Sequence, residues 1–390
     1  MYKRQRQFRD ILLQGPFARF EHTHSFYADS ATTSSLEDTI EYELPMGAVG
    51  SFAGGWYASS TLDQVFRYRH DVLLGDLQRH AQFAHRAPLR VAVTGASGFI
   101  GTQVCAFLTT GGHTVLRIGR GAVNPGVVDV PWDPARGVLN PADLEGIDAV
   151  IHLAGANIAE RWTEPHKKAI RDSRVQGTTL IARTIASLQK KPEVLLSASA
   201  IGVYGDRGDE ILDESSTLGS GFLCDVGREW EAGTAVAEMA GIRVVHMRTG
   251  IVQGAAGGAL GKQLPFFRAG VGGPLAGGKA WVSPIALDDE IGAIHFCLMQ
   301  PSIRGAVNFV APHPITNAKY TEALGSVLHR PAFLPVPAFG LYALFGKEMV
   351  DQTILTSLRV MPAVLQREGF QFRHPTIRQI LEFELGQAPA

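Results

Sequence analysis

Three glycines at a spacing of three, Gly95-x-x-Gly98-x-x-Gly101, carry the strongest chemical signal in this 390-residue chain. They sit in VAVTGASGFIG (91–101), between an apolar strand and an amphipathic stretch that ends at Gly111-Gly112. In that context each glycine has a purpose. The first permits a sharp turn, and the second lets a pyrophosphate approach main-chain N–H groups at a helix N-terminus. The third lets helix and strand pack closely. The expected contact set for a dinucleotide is Gly95, Ser97, Gly98, Phe99, Ile100 and Gly101. Leu153, Ala154 and Gly155 join it, because small residues closing a later strand let a ribose lie against the backbone.

Arg120 selects among dinucleotides. An acidic residue ending the second strand would hold a ribose 2′-hydroxyl and favour NAD(H). Here that strand runs into Arg117-Ile118-Gly119-Arg120. A guanidinium there is suited to a 2′-phosphate, so NADP(H) is preferred over NAD(H).

Other charged groups are less specific. Arg161, Lys167, Lys168, Arg171 and Arg174 follow the fourth strand, and Lys167, Arg171 and Arg174 share one helix face at i, i+4 and i+7. They suit either an anionic substrate or cofactor phosphate, or a solvated helix face. Asp288-Asp289 is expected to cap the helix that follows it. The histidines are scattered without metal-ligand spacing, so no metal site is expected.

The elements that must position these groups follow from periodicity. From Leu89 a βαβ rhythm begins: a strand at 89–93, a helix at 99–108 and a strand at 114–118. A buried strand follows at 148–153. A helix at 164–188 starts with Pro165 in its first turn, where a missing N–H is harmless. Strands at 194–197 and 243–247 flank a helix at 228–239. This alternation predicts an α/β fold, a doubly wound parallel sheet of Rossmann type. Residues 89–250 form the nucleotide domain, and 251–390 form a smaller α+β substrate lobe interleaved with its sheet. Residues 1–86 stand apart, with two strands (18–27 and 34–44), a glycine- and alanine-rich connection at 46–55 and a long helix over 57–83.

Composition narrows the partners. The chain is 45% hydrophobic and 19% charged with a net charge of −1, which permits sizeable cores and argues against nucleic acid. No apolar run reaches membrane-spanning length, and the basic start lacks the apolar core of a signal peptide. Three separated cysteines make no disulfide framework, so a reducing, cytoplasmic setting is expected. A small-molecule substrate and a protein partner both remain open as ligands, and the oligomeric state is not legible.

Larger motifs point to a family. TGASGFIG, DAVIHLAGANI, ERWTEPHKKAIRDSRVQGTTLI, LLSASAIGVYG and WEAGTAVAEMAGIRVVHMRTGIV resemble the extended short-chain dehydrogenase/reductase superfamily, and within it the atypical YfcH-like, epimerase-related branch with its DUF-type C-terminal region. The resemblance implies an NAD(P)-binding sheet with a substrate lobe over residues 89–385. It also implies a carbonyl-polarising hydroxyl at Ser199, and it matches Tyr204 to a Tyr-Gly motif. The superfamily's proton transfer needs a Tyr-x-x-x-Lys pair. None of the eight tyrosines has a lysine four residues later, and aligning Glu231 with the acidic residue usual in extended members puts Leu223 and Gly227 at those positions by resemblance. Cys224, Asp225, Arg228 and Glu229 are candidate substitutes.

The first expectation is therefore an NADP(H)-dependent oxidoreductase or epimerase-like enzyme with altered catalytic groups. A non-catalytic NADP(H)-binding regulator, similar to branch members linked to cell division, is the alternative. GPFARFEHTHSF and FRYRHDVLLGDLQRH resemble half of a START-like (polyketide-cyclase-like, helix-grip) domain. That resemblance implies a third possibility, an apolar ligand bound through the first segment.

Overall fold

The computed structural model describes residues 6–31 and 33–387. Two compact units divide between His70 and Asp71. The first holds an antiparallel sheet in the order β1 (Gln7–Ile11), β2 (Arg19–Ala28), β3 (Ser34–Glu43) and the start of a long helix, α1 (Gly47–Gln82), whose residues from Asp71 onward belong to the second. The sequence pattern predicts two strands here, and β1 is the addition. Its residues QFRDI alternate only weakly, and all are exposed. The helix also begins ten residues before the expected Tyr57, because the glycines of the 46–55 stretch are accommodated within helical turns. On one sheet face the His24 ring stacks on Phe8 at 4.1 Å, and Asp38 lies 2.7 Å from His24 Nδ1 and 3.1 Å from Arg69.

The second unit is built on seven parallel strands: β4 (Arg90–Thr94), β5 (Thr114–Gly119), β6 (Val130–Pro131), β7 (Ala149–His152), β8 (Val194–Ala200), β10 (Arg243–Thr249) and β14 (Gly305–Phe309). Their spatial order is β14-β10-β8-β7-β4-β5-β6, so the direction of winding reverses between β4 and β7. The period of two in each strand sorts side chains to two cores. Val91, Val93, Ile151 and Leu196 face one side, under α2 (Phe99–Thr110) and α7 (Leu287–Met299). Ala92, Val150 and Leu195 face the other, where Ile181 and Ile185 of α3 (Glu164–Ser187) cover them. Apolar runs buried on both faces are what a parallel sheet requires.

Local signals set the helix ends. Thr163 caps α3 by accepting from the His166 N–H at 3.3 Å, with Pro165 in the first turn. The expected 228–239 helix is two pieces, α4 (Phe222–Ala232) and α5 (Ala235–Met239), separated at Gly233. The short strand β9 (Ile211–Leu212) precedes α4, and β11 (Ile251–Gly254) leads into α6 (Gly258–Arg268). β12 (Trp281–Val282) and β13 (Pro284–Ala286) lead into α7, and β13 pairs with β11.

Asp288 and Asp289 do not cap α7. Its cap residue is Ala286, with no side-chain bond, and both carboxylates turn instead to arginines. Arg79 donates two bonds of 2.9 Å to Asp288 and one of 3.1 Å to Asp289. Arg373 adds a 3.0 Å bond to Asp288. Burial opposes charge on Asp288, yet His374, Arg79 and Arg373 hold its carboxyl well below the usual range. Two arginines with one fixed geometry outcompete a cap that helps only a single N–H.

Candidate dinucleotide site

The glycine turn lies at the carboxyl end of β4, at the reversal point where open α/β sheets bind ligands. Gly95 has φ +68°, a conformation costly for other residues, and a Cβ there would sit 2.8 Å from the Leu153 carbonyl carbon. The turn thus presses directly on the chain leaving β7. A Cβ on Gly101 would lie 2.1 Å from the Gly95 oxygen, which is the close packing the third glycine provides. Gly98 begins α2 without a side-chain cap, and the first turn carries no acidic residue. Its amide dipoles are left to an external anion.

One hydroxyl ties turn and strand end together. Thr94 Oγ1 accepts the N–H groups of Leu153 at 3.1 Å and Ala154 at 3.2 Å, and lies 2.7 Å from His152 Nδ1. With both donors received, its own proton goes to His152. Burial lowers the His152 pKa to about 4, so the ring is neutral and serves as that acceptor. Ser173 Oγ accepts from the Ala156 N–H at 3.0 Å, which fixes the far end of the 153–156 loop. Nothing in the sequence singles out Thr94, because a threonine at the end of an apolar strand is commonplace in any sheet.

The remaining expected contacts divide by role. Ser97 and Gly98 are exposed at the turn. The Phe99 ring lies against Gly254, Gly257 and Gly258, where added Cβ atoms would come within 2.5, 2.6 and 3.4 Å of it. Ile100 and Leu153 pack on one core and Ala154 on the other, so their side chains build the wall and their backbones face the turn. Arg120 is exposed after β5 and makes no ion pair among the described residues, while Arg117 pairs with Asp129 at 3.6 Å.

The end of β8 is different in kind. Ser199 Oγ donates to Glu231 Oε1 at 2.7 Å. Arg248 grips the same carboxylate with two bonds of 2.8 Å and donates to the Tyr204 hydroxyl at 3.0 Å. Tyr204, fully buried, donates in turn to Asn308 at 2.8 Å. Burial works against charge on Glu231, but Arg248 keeps its pKa below the usual value. Burial raises the Tyr204 pKa.

The helix to which the resemblance assigns a Tyr/Lys pair has no space at the lysine position, Gly227. A Cβ on Gly227 would meet Val203 Cγ1 at 2.2 Å, and a Cβ on Gly202 would lie 3.8 Å from Leu223 Cδ1. Cys224 Sγ donates to the Gly202 carbonyl at 3.3 Å, Asp225 pairs with Arg228 at 2.6 Å, and Glu229 pairs with Arg171. Each candidate substitute already has an internal partner.

Histidines scattered along the chain do meet in space. His80, His113 and His295 bring ring nitrogens within 4.8 Å of one another. Their hydrogen bonds do not suit a cation. His113 Nδ1 accepts the Leu89 N–H at 3.0 Å, which leaves its proton on Nε2, and His80 Nε2 donates to the Phe107 carbonyl at 3.1 Å. Burial lowers all three pKa values, that of His295 to about 3. A second group, Asp10, His22 and His24, lies in the first unit with Arg69 3.4 Å from His22 and 3.3 Å from His24.

A seven-stranded doubly wound sheet with a glycine turn at its reversal point defines a dinucleotide-binding protein of Rossmann type. The chain belongs to the NAD dependent epimerase/dehydratase family, which it matches over residues 91–226, and residues 336–384 match a domain of unknown function, DUF1731. An epimerase family protein of Mycobacterium bovis is 40% identical over 294 residues, 75% of this chain and 96% of that one. Human epimerase family protein SDR39U1, solved with NADPH, is 31% identical with a TM-score of 0.69, covering 76% of this chain and 99% of that one. A nucleoside-diphosphate sugar epimerase structure from Corynebacterium glutamicum is 33% identical with a TM-score of 0.78, covering 97% of this chain and 74% of that one. Both family matches lie beyond the first 86 residues. Among the described residues no helix is long and apolar enough to cross a membrane.

Proposed function

We propose that this chain binds NADP(H) at the carboxyl edge between β4 and β7, and that any redox chemistry it performs on a small-molecule substrate proceeds without a tyrosine/lysine proton-transfer pair. The observation that carries the second half is the Gly227 site, where Val203 Cγ1 stands 2.2 Å from a Cβ and leaves no room for a lysine. In this reading Gly98, whose own N–H donates to the Gly95 carbonyl at 2.9 Å, lets the pyrophosphate approach, Ser97 and the first amides of α2 receive it, and the loop 153–156 borders a ribose. Arg120 meets the 2′-phosphate, supported by its exposure after β5 and by the NADPH in the SDR39U1 structure. When bound, the cofactor supplies hydride exchange at its nicotinamide.

Ser199 acts here as a positioning residue. To polarise a substrate carbonyl its proton would first have to leave Glu231, a charge-assisted bond stronger than the one it would gain. Tyr204, buried between Arg248 and Asn308, holds the same network.

Titration of the purified protein with NADPH and NADH, followed by NADPH absorbance against carbonyl compounds and sugar nucleotides, tests the reading. The expected result is NADPH binding at least about tenfold tighter than NADH, a difference of about 1.4 kcal/mol. Any turnover should survive Ser199→Ala. Equal affinity for the two cofactors removes the role given to Arg120, and turnover abolished by Ser199→Ala in a folded protein makes that hydroxyl catalytic.

A further inference from the structure

Five cations follow β7, and four of them are accounted for. Lys167 pairs with Glu348 at 2.9 Å, Lys168 with Asp172, and Arg171 with Glu229. Exposed Arg161 donates to the Ala343 carbonyl at 3.2 Å. Arg174 differs from all of these. It is half-buried, its guanidinium lies 4.9 Å from the centre of the Trp230 ring, and no carboxylate among the described residues pairs with it. Its Nη1 donates to the carbonyls of Ala156 at 3.1 Å and Ile170 at 3.2 Å. Nε and Nη2 make no hydrogen bond among the described residues, so most of the five donors are unused.

Burial alone lowers the Arg174 pKa to about 10, which leaves the side chain a cation at neutral pH. A cation partly withdrawn from water is ordinarily paired, since an uncompensated charge becomes costlier with burial. Its surroundings are built to hold it. A Cβ on Gly155 would lie 3.3 Å from Cζ and 3.5 Å from both terminal nitrogens, so the guanidinium packs closely over the Gly155 backbone. Gly155 belongs to the loop that leaves β7 beside the glycine turn, and Trp230 belongs to α4. The unpaired charge therefore stands between the dinucleotide edge and the helix that faces it.

We propose that Arg174 is an anion-binding residue whose guanidinium receives a phosphoryl or carboxylate group of a bound ligand at this edge of the sheet. The inference rests on the dinucleotide reading, because the two sources of that anion are the pyrophosphate of NADP(H) and an anionic substrate seated beside it. The planar fork matches either oxyanion in a bidentate way that lysine cannot reproduce.

The test compares the full chain with Arg174→Gln and Arg174→Lys by calorimetry at low salt. NADPH is titrated first, and inorganic pyrophosphate is then titrated into the NADPH-saturated protein. If the cofactor supplies the anion, Arg174→Gln weakens NADPH about tenfold or more, and Arg174→Lys recovers part of the loss. If a substrate supplies it, NADPH affinity holds and pyrophosphate binding to the complex falls by a similar factor. Unchanged NADPH affinity together with unchanged or absent pyrophosphate binding overturns the proposal. A wild-type protein that binds no NADPH overturns the cofactor reading instead, and pyrophosphate titrated into the free protein then decides Arg174 by the same comparison. Should the glutamine variant not fold, crystals of the wild type with NADPH and pyrophosphate decide. An anionic oxygen within about 3.5 Å of Nε or Nη2 supports the assignment, and anions seated only elsewhere overturn it.

Discussion

The turn after β4 and the end of β8 lie two strands apart on the same sheet, yet they are finished in opposite ways. At the turn, bonding capacity is left over: α2 has no side-chain cap, Ser97 and Gly98 are exposed, and one threonine holds the adjoining loop in place. At the end of β8, capacity is used up. Ser199, Glu231, Arg248, Tyr204 and Asn308 satisfy one another, and Val203 occupies the space at Gly227. A region that waits for a ligand keeps its donors open and its backbone rigid. A region that has become structural closes its polar groups on themselves.

Substitutions should separate the two regions. The largest effect is expected for Glu231→Ala, which strands the buried Arg248 charge and should cost about 3–5 kcal/mol in a denaturant melt. NADPH affinity of the folded fraction should change less than about twofold. A large loss of affinity in protein that remains folded would join the two regions into one site. Next comes the attempt to restore the missing pair with Leu223→Tyr and Gly227→Lys. Overpacking against Val203 should destabilise by about 1–3 kcal/mol, and no epimerase activity should appear with sugar nucleotides. A stable, active double variant would show that the helix is not closed.

Glu290 offers a change of the opposite sign, a gain in stability at neutral pH. It is buried, accepts a 2.9 Å bond from Thr249, and burial raises its pKa to about 8. The folded state therefore holds a proton that the unfolded state releases from about pH 4.5 upward, so stability falls across that window up to about pH 8. Glu290→Gln keeps the acceptor, removes the titration, and should flatten that part of the pH–stability curve. An unchanged curve would place the titration on Glu384, whose pKa burial also raises to about 8. The smallest effect belongs to Arg120→Ala, expected to weaken NADPH about tenfold while leaving NADH within about twofold. Equal losses for both cofactors would give Arg120 a role other than reading the 2′-phosphate.

Much of this is legible from the chain alone, and the exceptions share a cause. The βαβ rhythm and the glycine turn are local signals, repeated by backbone geometry wherever they occur, so Val91 to Gly101 sits where the spacing places it. The missing Tyr/Lys pair is visible in the sequence as an absence. Its reason is not, because Val203 reaches Gly227 only in three dimensions. Asp288 and Asp289 read as helix caps because their true partners are remote. Arg79 lies 209 residues before Asp288 and Arg373 lies 85 after it, so neither leaves a local trace. The strand β1 gives no signal because its exposed residues carry no period. The early start of α1 is hidden because glycine argues against helix until neighbouring turns hold it.

The central claim is that the dinucleotide is held by the glycine turn and not by the polar network at β8. A side-by-side NADPH titration of Gly95→Ala and Ser199→Ala tests it most directly. At Gly95 the positive φ and the 2.8 Å approach to Leu153 leave no room for a methyl, so that variant should lose NADPH binding by about a hundredfold or more. Ser199→Ala should bind NADPH within about twofold of the wild type. The reverse pattern, with Gly95→Ala binding normally and Ser199→Ala failing, would contradict the claim.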